Sequence, residues 1–166
     1  DETLAVFGQG PVGLSTTQFG AAMGARVIAI ETSPERRTLA LEKGAHAVID
    51  PTEVDPVTAI QELTHGEGAQ KVIETAGVPQ ARTAAVKGTR KWGTACFVAS
   101  GGQVTLDVGP DLTFRQVTVL GHWTFSKNGQ ADCARFVSDR KIDVDSVFTH
   151  EFKLDQAEEA YQLLDQ

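Results

Sequence analysis

Leu4-Ala5-Val6-Phe7, Gly8-Gln9-Gly10-Pro11-Val12-Gly13, a span running to Met23-Gly24, then Arg26-Val27-Ile28-Ala29-Ile30 and Glu31. This stretch decides the fold: an apolar strand, a glycine-rich turn, a helix, and a second apolar strand that ends in an acid. Each glycine has a separate task. Gly8 permits the tight turn out of the strand, Gly10 lets backbone approach a pyrophosphate, and Gly13 lets the helix lie close on the sheet. The helix start presents free N–H groups and the positive end of its dipole to phosphate, and Pro11 fits the first turn, where no donor is needed. Val12, Thr16, Phe19 and Met23 recur at helical spacing and are the expected inward stripe, with Gly24 closing the helix. Glu31 stands where a carboxylate accepts hydrogen bonds from the adenosine ribose and repels a 2′-phosphate, so NAD is expected over NADP. Arg36 and Arg37 follow closely enough to offset that repulsion. The alternative reading of the turn is a structural one without ligand.

Outward from this unit the alternation continues. Thr32-Ser33-Pro34-Glu35 caps a second helix, carried by Leu39 and Leu41 to Gly44. His46–Ile49 is a short strand, and Asp55-Pro56 opens a helix with Val57, Ile60 and Leu63 inward and Gly66 beyond its end. Lys71–Ile73, Thr94–Ala99 and Val117–Leu120 are further strands, with a helix from Pro79 to Lys87 between the first two. Strands apolar along both faces imply a parallel sheet covered by helices on both sides, so the expectation is an α/β, doubly wound, six-stranded parallel sheet, a Rossmann fold. Ligand then lies at the carboxyl ends of the strands, near Thr75-Ala76-Gly77, Ala99-Ser100-Gly101-Gly102 and Gly121-His122-Trp123, turns whose small residues serve either cofactor approach or ordinary turning.

Val104–Val108 alternates apolar and polar and reads either as a half-exposed edge strand able to pair with another subunit or as a hairpin arm on its own domain. A helix from about Gln130 to Arg140 carries Cys133, Phe136 and Val137, and Val147–Phe152 reads extended. Asp155 with Glu158 resembles a capping box, ahead of a stripe of Ala157, Ala160, Tyr161 and Leu164 that needs a partner. The expected division is a dinucleotide-binding domain over 1–145 and a strand-helix segment over 146–166.

Composition narrows the function. Among 166 residues, 15 basic against 22 acidic side chains give a net charge of −7, which offers no basic surface to nucleic acid or anionic membrane. The uncharged run from Leu4 to Ala25 is too rich in glycine and polar residues to span a bilayer. Cys96 and Cys133 have no partner at metal or redox spacing and read as small buried hydrophobes in a reducing, cytoplasmic compartment. Asp1-Glu2-Thr3 has no initiator Met and almost no lead-in, which reads as an excised segment.

A hydride-transferring enzyme also needs a group to polarise the carbinol and take its proton, and no obvious set is present. His46, His65, His122 and His150 are scattered, Tyr161 has Asp165 rather than Lys four residues on, and no zinc-type cysteine cluster or G-x-S-x-G elbow occurs. His122 is either a proton relay or a backbone contact to the carboxamide, and Trp123 either stacks on a ring or serves core or interface. No catalytic or metal-binding residue is assigned.

Gly8–Leu14, Met23-Gly24-Ala25, the Glu31 to Arg36 spacing, Glu42-Lys43-Gly44-Ala45-His46 and Thr64–Ala69 together resemble the coenzyme domain of the medium-chain zinc-dependent alcohol dehydrogenases, closest to the polyol and threonine dehydrogenase branch. The resemblance extends to Phe148-Thr149-His150 and Leu154–Ala157, which are similar to the family's return towards its catalytic domain. It implies that Gly8, Gly10, Pro11, Val12 and Gly13 hold the pyrophosphate, that Glu31 and Arg36 meet the adenosine ribose, and that Thr75 and Ala76 lie near the adenine. It also implies that the backbone of Val98, Ala99, Ser100, His122 and Trp123 approaches the nicotinamide. A homodimer by sheet extension through Val104–Val108 is implied as well. Zinc ligands and proton relay lie in a separate domain in that family, so this chain is expected to bind NAD, weakly, and to need that domain for an alcohol or polyol substrate. The rival reading is a stand-alone NAD(H)-sensing module, and a methyltransferase ranks below both.

Overall fold

A computed structural model describes residues 2–164. Six parallel strands form one sheet in the order β3-β2-β1-β4-β5-β6: β1 (Thr3–Phe7), β2 (Arg26–Ile30), β3 (Ala47–Ile49), β4 (Ala69–Glu74), β5 (Thr89–Phe97) and β6 (Thr118–Gly121). The expected doubly wound α/β sheet is therefore the observed one, with its order reversing between β1 and β4. Helices α1 (Pro11–Ala22), α2 (Pro34–Glu42), α3 (Pro56–Leu63), α4 (Pro79–Gly88), α5 (Lys127–Arg140) and α6 (Ala157–Leu164) follow the strands or close the chain.

The central strands are apolar on both faces because both faces are covered. Phe7, Ile28, Ile30, Ile49 and Val72 pack with Ile60 of α3 and with Ala85 and Val86 of α4. Ala29 packs with Leu14 of α1 and Ala40 of α2, while Leu4, Val6 and Val27 pack with Ala21 at the end of α1. Four helices begin with proline at the first turn; Ser33 and Asp55 cap α2 and α3 by accepting the N–H of Arg36 at 3.2 Å and of Thr58 at 2.8 Å.

Several expectations are corrected. The inward face of α1 is Gly13, Leu14, Thr17 and Gly20, while Val12 and Met23 are exposed. Small residues win because the helix lies so close that a Cβ on Gly20 would stand 2.6 Å from Leu4 Cδ2. On α2 the fully buried position is Ala40, and Leu41 is exposed. Cys133 is exposed and Cys96 is half-buried, so neither is a core residue.

Val104–Val108 is not an edge strand. Residues 104–107 form no ladder, and Val108–Thr113 is a π-helical segment in which the Asp111 carboxylate accepts the Asp107 N–H at 2.9 Å. Pro110 removes a ladder donor, and the place beside β5 is already taken by β6. Leu106 nevertheless packs on the domain's own core. β5 begins five residues earlier than the apolar pattern suggested and stops at Phe97, leaving Val98 and Ala99 in the loop. Of Val147–Phe152 only Val147 falls in a 3₁₀ turn, Asp145–Val147; Phe148 is extended as expected, but the segment pairs with no strand among the described residues. The cap before α6 is also displaced: Gln156, not Glu158, reaches back, its side chain accepting the Lys153 N–H at 3.1 Å.

Candidate functional site at the carboxyl ends of the strands

The turn after β1 is held rigidly from beneath. Gly8 adopts φ +86°, and a Cβ there would meet Ala76 at 3.0 to 3.1 Å. A Cβ on Gly13 would stand 1.9 Å from the Gly8 carbonyl oxygen and 3.0 Å from Thr75 Oγ1, so Gly13 is required by contact with the turn, whereas Gly20 supplies the contact with the sheet. Gln9 is wholly buried: its amide donates to Val6 O at 3.2 Å and accepts the Thr17 hydroxyl at 2.8 Å. Thr75 donates its hydroxyl to Phe7 O and Gly8 O, tying the β4 turn to the β1 turn.

Gly10 is different. Nothing lies within 4 Å of where its Cβ would be, and as N-cap of α1 it brings no side-chain acceptor to the helix start. The helix terminus thus faces open space with its dipole uncapped, the arrangement an anion fits.

Glu31 is buried at the end of β2. Its Oε1 accepts from Thr32 N, Thr32 Oγ1 and Ser33 N, and its Oε2 accepts only the Gln9 N–H, at 2.7 Å. That leaves Oε2 acceptor capacity for a hydroxyl. Burial pushes this carboxyl up, but the N–H groups of Ser33 and Gln9 and the hydroxyl and N–H of Thr32 outweigh it and hold it below its ordinary value of 4.5. Arg37 is engaged through Nη1, with the Asp50 carboxylate at 2.8 Å and the carbonyls of Glu31 and Thr32. Arg36 has no such partner in the cleft and borders it directly.

Two clefts receive the expected site residues. One, of about 630 Å³, is lined by Gly8, Gly10, Glu31, Arg36, Thr75 and Ala76. The other, of about 390 Å³, is lined by Val98, Ala99, Ser100, His122 and Trp123. Pro11 borders a third, of about 620 Å³, between α1, α2 and the chain from Val147 to Phe152. Val12 and Gly13 lie outside these linings, in the helix start itself. In the second cleft the His122 N–H is used by Phe97 O at 3.0 Å, the Val98 N–H by Glu74 O at 2.9 Å and the Ala99 carbonyl by Arg82 Nη2 at 2.9 Å. Sequence reasoning missed the far wall of the first cleft, Pro51, Thr52, Val78 and Ala81, which comes from the turn after β3 and the start of α4 and carries no motif. It also missed the polar locks Gln9, Thr17, Glu74 and Arg82; a polar residue inside an otherwise apolar run was the available signal for Gln9.

A parallel sheet whose first turn offers an uncapped helix start, an open Gly10 and a buried acid with spare acceptor capacity defines a dinucleotide-binding domain. Residues 11–139 match the family described as zinc-binding dehydrogenase, and the chain belongs to that family, of which it is the NAD-binding domain. It is 33% identical over 98% of its length to an uncharacterised zinc-type alcohol dehydrogenase-like protein of Escherichia coli K12, covering 46% of that protein. It is 32% identical over 98% of its length to the L-threonine 3-dehydrogenase of Bacillus subtilis 168, covering 48% of it. The crystal structure of an alcohol dehydrogenase from Thermotoga maritima superposes with a TM-score of 0.89 at 26% identity, over 99% of this chain and 47% of that one. The chain thus spans about half the length of the relatives it matches.

The zinc in the family's description finds no home here: among the described residues no group of three or more His, Cys, Asp or Glu side chains could hold a metal ion. No helix among them is long and apolar enough to cross a membrane.

Proposed function

We propose that the chain is the coenzyme half of an NAD-dependent dehydrogenase acting on a secondary alcohol or polyol. The observation that carries this reading is the open Gly10 at the start of α1, set beside the spare acceptor capacity of Glu31. Gly8, Gly10, Pro11, Val12 and Gly13 cradle the pyrophosphate, Glu31 and Arg36 hold the adenosine ribose, and Thr75 and Ala76 border the adenine. The loops of Val98, Ala99, Ser100, His122 and Trp123 receive the nicotinamide, which supplies the hydride acceptor when bound. A buried carboxylate repels a 2′-phosphate, and the engagement of Arg37 leaves Arg36 alone to offset that.

Zinc ligands and proton relay belong, in this proposal, to a second domain of the enzyme, to which residues 146–166 lead. The exposure of α6, with Tyr161 at 71%, supports a covering partner for that segment and speaks against a self-contained NAD(H) sensor. A homodimer by sheet extension is proposed at β6, the open edge, where Val119 and Leu120 are exposed, instead of at Val104–Val108. The absence of cysteine pairing among the described residues accords with a cytoplasmic site of action.

Calorimetric titration of the chain with NAD and NADP tests the reading. NAD is expected to bind and NADP to bind at least about tenfold more weakly, with Glu31→Ala removing the preference. Gly10→Ala is expected to weaken NAD by about tenfold or more with no loss of stability, because its Cβ occupies space that only the ligand uses. Equal binding of both nucleotides by wild type, or an indifferent Gly10→Ala, would overturn it.

A further inference from the structure

Beneath the nicotinamide-side cleft lies a charged pair with no precedent in the sequence reading. Glu74, the last residue of β4, is fully buried, and Arg82 of α4 is 5% exposed. Buried charges are retained only when their partners are specific, so the partners of this pair locate its task.

Glu74 Oε1 accepts the Gly77 N–H at 2.6 Å, and Oε2 lies 3.3 Å from Arg82 Nε. The other end of the guanidinium reaches across to the neighbouring loop: Arg82 Nη2 donates to Ala99 O at 2.9 Å, and the guanidinium carbon stands 5.9 Å from the centre of the Phe97 ring. Gly102, at φ +73°, closes over the pair, since a Cβ there would meet Arg82 Nη1 at 2.7 Å and Gly77 O at 3.1 Å. One planar fork therefore joins the turn after β4 to the loop after β5, and Arg82 itself lines the cleft. The turn after β4, on the adenosine side, is held by Glu74 through the Gly77 N–H, whereas of the two side chains only Arg82 reaches the loop after β5, so loss of the second Arg82 nitrogen frees that loop and leaves the β4 turn tied.

We infer that Arg82, locked by Glu74, is a positioning residue that sets the loop after β5, which receives the nicotinamide half of the dinucleotide, at its distance from the turn after β4. The inference rests on the NAD-binding reading above. It assigns Arg82 no contact with the adenosine half, and so predicts a selective defect.

The discriminating variant is Arg82→Lys, which keeps a cation against Glu74 but cannot also hold Ala99 O through a second nitrogen. Gly102→Ala is an independent test from the loop side, displacing the guanidinium without altering its charge. Each is titrated with NAD and with ADP-ribose, which lacks the nicotinamide ring, and circular dichroism checks the fold. The expected result is NAD affinity lowered about tenfold in both variants, with ADP-ribose unchanged within about twofold. Parallel loss of both ligands, or loss of neither, would overturn the positioning role while leaving the NAD reading in place. Equal affinity of wild type for NAD and ADP-ribose would do the same, since no nicotinamide contribution would exist to position. Wild type binding neither ligand would overturn the NAD reading and this inference with it.

Discussion

The two halves of this sheet are built from the same kind of strand and are treated differently by their neighbours. Every residue of β1 is buried, and its turn is closed by Gly13, Gln9, Thr17 and Thr75 acting on one another. All four residues of β6 are exposed, α5 buries none of its residues, and Trp123 is 74% exposed at the mouth of the second cleft. An apolar strand is thus no guarantee of a core position: Val117–Leu120 is apolar but for Thr118 and Leu4–Phe7 throughout, yet one lies at an open edge and the other between two covered neighbours. The difference teaches that the turn after β1 is closed by contacts among its own neighbours, while the loops after β5 and β6 are joined by a few polar links and left open.

The largest effect that would test this contrast is on the closed side. Gly13→Ala drives a methyl group to within 1.9 Å of the Gly8 carbonyl oxygen, and the backbone on both sides must move. A loss of about 3 kcal/mol in urea unfolding is expected. A loss below about 1 kcal/mol would mean the turn yields and the closed half is not rigid.

A smaller effect comes from Glu31. Its folded-state carboxyl titrates below 4.5, so it contributes stability that is complete above that pH and is lost as pH falls through the depressed value. The stability difference between wild type and Glu31→Gln is expected to be about 1 kcal/mol near neutrality and to shrink steadily below pH 4.5. A difference that is flat with pH would show that the four hydrogen bonds do not favour the ionised form.

The smallest effect belongs to the open side, where Trp123→Ala should change unfolding stability by less than about 0.5 kcal/mol despite the size of the side chain. A loss of several times that would show that Trp123 is packed in solution and would erase the contrast between the two clefts.

The cofactor turn was legible because its chemistry is local. Gly8, Gly10, Pro11 and Gly13 serve backbone geometry over six residues, and Glu31 ends the next strand, so strand, turn, helix and acid could be read in line. The stripe of α1 was misread from equally clear periodicity, since Val12, Thr16, Phe19 and Met23 also fit a helix. What excluded them was distance to the sheet, which only Gly20 against Leu4 reveals. Val104–Val108 was misread as an edge because alternation says that a segment has two faces, but not whether a neighbouring strand is free to pair with it.

The sequence by itself determined the alternation of strands and helices, the parallel sheet, the glycine turn at the first helix start and the acid that follows the second strand, because each follows from residues near one another in the chain. Tertiary structure alone decided which residues of α1 face inward, that Arg82 and Glu74 meet across β4 and α4 to hold the loop after β5, and that β6 is an exposed edge. Those outcomes depend on distances between segments far apart in sequence, and side-chain size and charge acquire their meaning only once the packing has set those distances.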